Sequence, residues 1–525
     1  MTDRLSLASF SNLAELMSLI EDEFVSLTER PPGFQPATHK PLFNACEMVV
    51  SQGASSVVVQ RRVQDPDFAA EYNAYYSRQF APVARNCIRL HFFSGPVVPP
   101  ESVLGFLDRA AADLGYLGFL TLRPVARTPV GASIFSHQLS QGFVRSLDTF
   151  PVHVGGVELS VSGTPFMQQD NAVGACAQAS IWMALRTMRR REGDRAHDPA
   201  QITDAATRYF INGRIRPNRE GLTQLQMTEA VRAAGYSPHS IPLGAFQGAA
   251  VTMDGTQLAW ARVKLHAYIE SEIPVLLLLF PAEGGHAVVA VGHTWDRNAL
   301  SDPAKCITYT HQSASGKAFS VTHAVSCAPE FLVNNDNTGP YRPLPPSAQD
   351  GYQLSQTLHA IPLLPADVFM TGEEAFMVGV EIVSQLMDGL RQTKSDAEVE
   401  AIASRIVVRL LLVEKRRLRR WAADTAMPTD LSNWLRLGDL PKRVWMFELH
   451  VRDNYGNHDA ANTETLVGIV LLDPTGDAAA SSVLLTYFNL QEIAGEAQGA
   501  MMVLEPRQSV AVATVENGPL LPLRR

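Results

Sequence analysis

The stretch QQDNAVGACAQASIWMALRTM, residues 168–188, joins a polar, turn-prone lead to an apolar-periodic run. Ala177, Ile181, Ala184, Leu185 and Met188 recur at three- and four-residue steps, the period of one helix face, and predict a helix that begins at Cys176. The free N–H groups of a first turn and the helix dipole favour an anion there. A thiol in that place is drawn toward thiolate, the form that attacks carbonyl carbon. Gln168 and Gln169 lie just upstream and carry amide donors, and either is placed to join the Cys176 backbone N–H in holding an oxyanion. The competing reading is a buried structural cysteine in a small-residue helix. A base and an acceptor further along the chain decide between the two.

Composition sets the outer limits. A chain of 525 residues exceeds one ordinary core, so two or three domains are expected. With 46% hydrophobic and 18% charged residues it is a folding sequence rather than a disordered one. Its net charge of −9 argues against a general nucleic-acid binder. The cysteines, Cys46, Cys87, Cys176, Cys306 and Cys327, are odd in number and widely spaced. They form neither a zinc-ligand nor a disulfide pattern, and no metal or cofactor is expected. Early acidic residues (Glu15, Glu21, Asp22, Glu23) do not fit a secretory signal. The longest apolar runs, 275–280 and 406–413, are far short of a membrane span. A reducing cytoplasm, with no membrane partner, is the compartment these features point to.

Along the chain the pattern is mixed α+β, in three consecutive regions: 1–163, 164–345 and 346–525. The first opens with an amphipathic helix predicted over 5–28, with Leu13, Leu16, Ile20 and Phe24 on one side. After the Pro-rich RPPGFQPATHKP, strands such as SSVVVQRRV, CIRLHFF, YLGFLTLRPV and VHVGGVELSV alternate with helical segments. The middle region holds the Cys176 helix, two further helices, and strands at VLLLLF, GGHAVVAVGHTW, CITYTHQ and FLVNND. The last has a helix near 373–390 and a longer one predicted over 396–422, capped by Ser395 and ending in the basic cluster 415–420, which reads as a solvated helix end. Strands at VWMFELHV, TLVGIVLLD, SVLLTYF and SVAVATV complete it.

A nucleophilic cysteine needs a base, and the base an orienting acceptor. His286 is the best base, opening an apolar strand after Gly284 and Gly285, which permit close approach of a substrate backbone. His293 is on the opposite face further along the same strand, and His311 is a weaker candidate. The end of FLVNNDNTGPY supplies the acceptor: Asp336 first, with Asn335 and Asn337 beside it. The plainer reading of NNDN is a turn.

This order of Gln, Cys at a helix start, His opening a strand and Asp or Asn ending a later strand resembles the papain-like cysteine peptidases. QQDNAVGACAQASIWMAL, EIPVLLLL, GGHAVVAVG and LVNNDNTGPY look most like the bacterial branch typified by the bacteriocin leader (double-glycine) peptidases, over residues 164–345. The resemblance implies a papain-like core, an N-terminal helix bearing Cys plus an antiparallel sheet, flanked by mixed α/β regions. It implies a thiol peptidase acting on a protein or peptide. Cys176 would be nucleophile, His286 base, Asp336 (or Asn335) orienting residue, and Gln169 (or Gln168) part of the oxyanion hole. Here Ala175 precedes the cysteine, and Gln169 lies seven positions before it. The same machinery serves transglutaminase-like acyl transfer or deamidation, and such a domain can also act as a non-catalytic binding module.

Overall fold

The computed structural model describes residues 4–28, 34–80, 82–113, 115–169, 176–192, 197–210, 221–457, 463–476, 482–495, 500–504, 508–512 and 518–523. The chain forms two compact units, each assembled from separate stretches of sequence. The first gathers Met1–Asp254, Glu272–Thr294 and Glu330–Pro365, and the second Gly255–Ser271, Trp295–Pro329 and Ala366–Arg525. The boundaries expected at 163 and 345 both fall inside the first unit. The reason is shared burial: one apolar cluster takes in Leu16, Ile20 and Phe24, then Ile181, Trp182 and Leu185, then Val289 and Val291. Residues 1–163 and the Cys176 helix are therefore one core. No helix among the described residues is long and apolar enough to cross a membrane.

Two large sheets, with two small two-stranded ones, build the first unit. One runs Leu5–Ser9, Ser56–Val63, Cys87–Phe93, Tyr116–Leu122, Ser133–Phe135, Pro165–Phe166, antiparallel throughout. The helix predicted over 5–28 thus splits into the strand Leu5–Ser9 and the helix Leu13–Thr28. Asn12 makes the break, its side chain accepting from the Glu15 N–H at 3.0 Å as an N-cap does. VHVGGVELSV is likewise not one strand but parts of two, Asp148–Val154 and Val157–Gly163, turning at Gly155 and Gly156, both at positive φ.

The other sheet carries the candidate site. Its order is Ser237–Pro238, Thr357–Leu364, Val275–Leu279, His286–His293, Phe331–Asn335, Gly339–Leu344. Val275–Leu279 and His286–His293 are buried at every residue, which is why both read as unbroken apolar runs. Helix Cys176–Glu192 packs against them through Ala177, Ile181, Ala184, Leu185 and Met188, the face expected from their spacing.

The second unit is organised on an eight-stranded sheet in the order Thr308–Gln312, Ala318–His323, Ile406–Glu414, Arg443–Val451, Leu466–Leu472, Val483–Asn489, Ala500–Leu504, Gln508–Val512. The long helix predicted over 396–422 is three elements here: helix Asp396–Ser404, strand Ile406–Glu414 and helix Lys415–Asp424. The β-branched Ile406, Val407 and Val408 favour the strand. Its one buried charge, Arg409, is paired with Glu270 and Glu448. The basic cluster 415–420 consequently begins a helix rather than ending one.

Gly292 lies on the His286 strand where Phe143–Val144 pairs with it. A Cβ there would run into the Phe143 carbonyl and sit 2.8 Å from the Val144 Cα. Gly292→Ala is expected to cost about 1–3 kcal/mol, seen as a lower urea midpoint at unchanged slope. A midpoint equal to wild type would show that this strand pair gives way freely.

Candidate active site

Cys176 is the first residue of its helix and half-buried. Its Sγ accepts the backbone N–H of Ala287 at 3.3 Å. One turn on, Ser180 Oγ donates to the Ala287 carbonyl at 2.9 Å. The helix is thereby stitched to the strand residue immediately after His286.

His286 opens its strand opposite Leu279, after Gly284 at φ 126°. Its Nε2 lies 2.9 Å from Asn335 Oδ1. The same Oδ1 accepts the backbone N–H of Asn337 at 2.9 Å, which identifies it as the amide oxygen and puts the imidazole proton on Nε2. Nδ1 is left as the acceptor, with Asn337 Nδ2 at 3.5 Å. The Asp336 carboxylate, first choice from sequence, stands further off, with Oδ1 3.6 Å from Nε2. The orienting hydrogen bond therefore goes to Asn335, the alternative, with Asp336 behind it. Asn334 is occupied elsewhere, its side chain bonding the Pro165 carbonyl and the Tyr341 N–H.

Asp336 is fully buried, and neither carboxylate oxygen reaches hydrogen-bond geometry with a described partner. Burial pushes its carboxyl up to about 7, an effect the nearby backbone N–H groups of Asp336 and Gln169 only partly offset. Burial also pushes the His286 imidazole down to about 4, against the Asn335 hydrogen bond. It pushes the Cys176 thiol up to about 12, helped by the Asp336 charge and resisted by the Ala287 N–H. The expectation of a depressed thiol fails in the resting site, because loss of solvent outweighs the helix terminus. Sγ bonds the Ala287 N–H rather than the imidazole. The resting pair is a neutral thiol and a neutral base whose acceptor nitrogen is Nδ1.

The two glutamines separate clearly. Gln168 is buried and held to Val130 by two hydrogen bonds, its N–H to the carbonyl at 3.1 Å and its Oε1 from the N–H at 3.4 Å. The Gln169 side chain has no hydrogen-bond partner among the described residues, and its backbone lies beside Asp336. Residues 170–175, between it and Cys176, lie outside the described residues. His293 sits at the other end of the His286 strand, with Nδ1 3.0 Å from the Thr294 carbonyl. His311 belongs to the second unit, 3.3 Å from Glu381. None of the five cysteines is in a disulfide.

Three residues of the site escape sequence reasoning. Arg123, fully buried and paired with Glu71 at 3.0 Å, donates to the carbonyls of Gln168 at 2.7 Å and Gln169 at 3.2 Å. Asn44 Nδ2 donates at 2.6 Å to the Thr338 carbonyl in the turn after Asn335. Tyr352 stacks on His286 with ring centroids 4.5 Å apart. A charge ending the apolar strand YLGFLTLRPV is a signal for Arg123; Asn44 and Tyr352 give none.

Compared with known proteins, the chain matches no family model, no curated sequence and no solved structure.

Arg123→Ala strands Glu71 in the core and is expected to cost about 3–5 kcal/mol, whereas Arg123→Met with Glu71→Leu recovers most of it. A single-variant loss below about 1 kcal/mol in urea titration refutes that coupling. For Asp336, a folded-state value above the unfolded one means its contribution is full below about pH 4 and lost as pH rises through about 7. Asp336→Asn should therefore gain stability relative to wild type between those limits, by a few kcal/mol at most. A difference that stays flat with pH would mean that Asp336 ionises normally.

Proposed function

We propose that this chain is a cysteine-dependent hydrolase of papain-like arrangement, cleaving a peptide or isopeptide bond. The observation that carries the reading is the junction at Ala287. It holds the Cys176 sulfur at the root of the strand whose first residue, His286, has its Nε2–H committed to Asn335 and its Nδ1 left as an acceptor, engaged only by the long 3.5 Å contact from Asn337 Nδ2.

In the reaction, a substrate carbonyl lies over the start of the Cys176 helix. His286 Nδ1 takes the thiol proton as Sγ bonds to the carbonyl carbon. The oxyanion is held by the Cys176 backbone N–H and the unengaged Gln169 amide. Asn335 keeps the ring oriented. As the imidazolium forms, the ionised form of the Asp336 carboxyl, 3.6 Å from Nε2, serves as its countercharge. The tetrahedral adduct collapses, the C–N bond breaks, and the imidazolium proton goes to the leaving amine. His286 then deprotonates a water that attacks the thioester, releasing a carboxylic acid and the Cys176 thiol.

Incubation of the full chain with iodoacetamide, read by peptide mass, should modify Cys176 faster than the other half-exposed cysteine, Cys306. His286→Ala should slow that modification by about tenfold or more. A Cys176 no more reactive than Cys306 would leave a non-catalytic binding module as the reading. Products from a peptide library then separate hydrolysis, about 18 Da added per cut, from transfer to an amine or deamidation, with Cys176→Ala as the blank.

A further inference from the structure

We propose that Tyr352 is a positioning residue for His286: its ring face holds the imidazole plane and stabilises the imidazolium formed when Cys176 gives up its proton. The inference rests on the hydrolase reading and extends it to a residue outside the triad.

The edges of His286 are accounted for, Nε2 by Asn335 Oδ1 at 2.9 Å and Nδ1 by Asn337 Nδ2 at 3.5 Å. Tyr352 covers the ring face, at 4.5 Å between centroids and 27° between planes. The tyrosine is itself held, because its hydroxyl accepts Asn337 Nδ2–H at 2.9 Å. Asn337 in turn donates its backbone N–H to Asn335 Oδ1, the atom that accepts from His286. The contacts close a circuit: imidazole face to Tyr352, Tyr352 to Asn337, Asn337 to Asn335, Asn335 back to the imidazole edge. A ring that only filled space would not need its hydroxyl tied to Asn337, the neighbour that also bonds the residue orienting the base.

An aromatic face attracts a cation more strongly than a neutral ring, and more so where water is scarce. His286 is buried, so the contact favours the protonated state of the base over its resting state. The other titratable groups at this place are Asp336 and Cys176, with Glu283 in the exposed loop before the strand acting on Tyr352. Asp336 approaches Nε2 at the ring edge, so it and the aromatic face act on different parts of the imidazole.

The test is the pH profile of Cys176 alkylation by iodoacetamide in the full chain, followed at the Cys176 peptide. Tyr352→Leu should slow alkylation near pH 6.5 by about fivefold and converge with wild type at high pH, where the thiol ionises unaided. Tyr352→Phe, which keeps the face, should retain most of the wild-type rate. In a His286→Ala background, Tyr352→Leu should have no further effect. Thermal unfolding checks folding, and Tyr352→Met replaces the leucine variant if that one does not fold. The proposal is overturned if the leucine variant keeps the wild-type profile, if phenylalanine is as damaging as leucine, or if the loss persists without His286. If His286→Ala alone leaves the profile unchanged, the hydrolase reading falls first and the role of Tyr352 with it.

Discussion

Both polar groups of one backbone unit, at Ala287, are taken by the Cys176 helix: the N–H by Cys176 Sγ and the carbonyl by Ser180 Oγ. Two attachments one helical turn apart fix the rotation of the helix about its axis as well as its height on the sheet. A single apolar contact would leave both free to slide, since dispersion is non-directional. Given this clamp, the side chain of the preceding residue, His286, and the first residue of the helix necessarily share a neighbourhood. The rest of the site is arranged around that fact.

The surroundings of the clamp come largely from the first 163 residues. Arg123 ties the backbone of Gln168 and Gln169 to the core, and Asn44 ties down the turn that comes after Asn335. These are directional bonds to carbonyls in non-repetitive segments, which have no ladder of their own to hold them. A buried guanidinium is tolerable at this place because Glu71 neutralises it and three backbone carbonyls, those of Thr128, Gln168 and Gln169, use its remaining donors. The N-terminal segment is thus the frame of the site rather than a separate module beside it.

Burial gives the site its resting state. The thiol, the imidazole and the Asp336 carboxyl are each shifted toward their neutral forms by loss of solvent. Charge on Asp336 bears on both of the others, because it lies 3.6 Å from the imidazole and acts on the thiol in a poorly screened place. Such a group of side chains is quiet at rest and responds as a unit when one proton moves.

Periodicity in the sequence determined the Cys176 helix, the His286 strand and the strand ending at Asn335, because each is a local pattern whose burial comes from its own spacing. It also narrowed the acceptor to NNDN, within which only the hydrogen-bond geometry distinguished Asn335 from Asp336. It misread 396–422 as one helix because an apolar run with a single arginine fits a helix or a buried strand equally well. Glu270 and Glu448, which make the strand tolerable by pairing with Arg409, are distant in sequence. Domain boundaries, the roles of Arg123, Asn44 and Tyr352, and the neutral state of the thiol were decided by tertiary structure alone. Each depends on which residues far apart in the chain exclude water from the same place, and no local pattern records that.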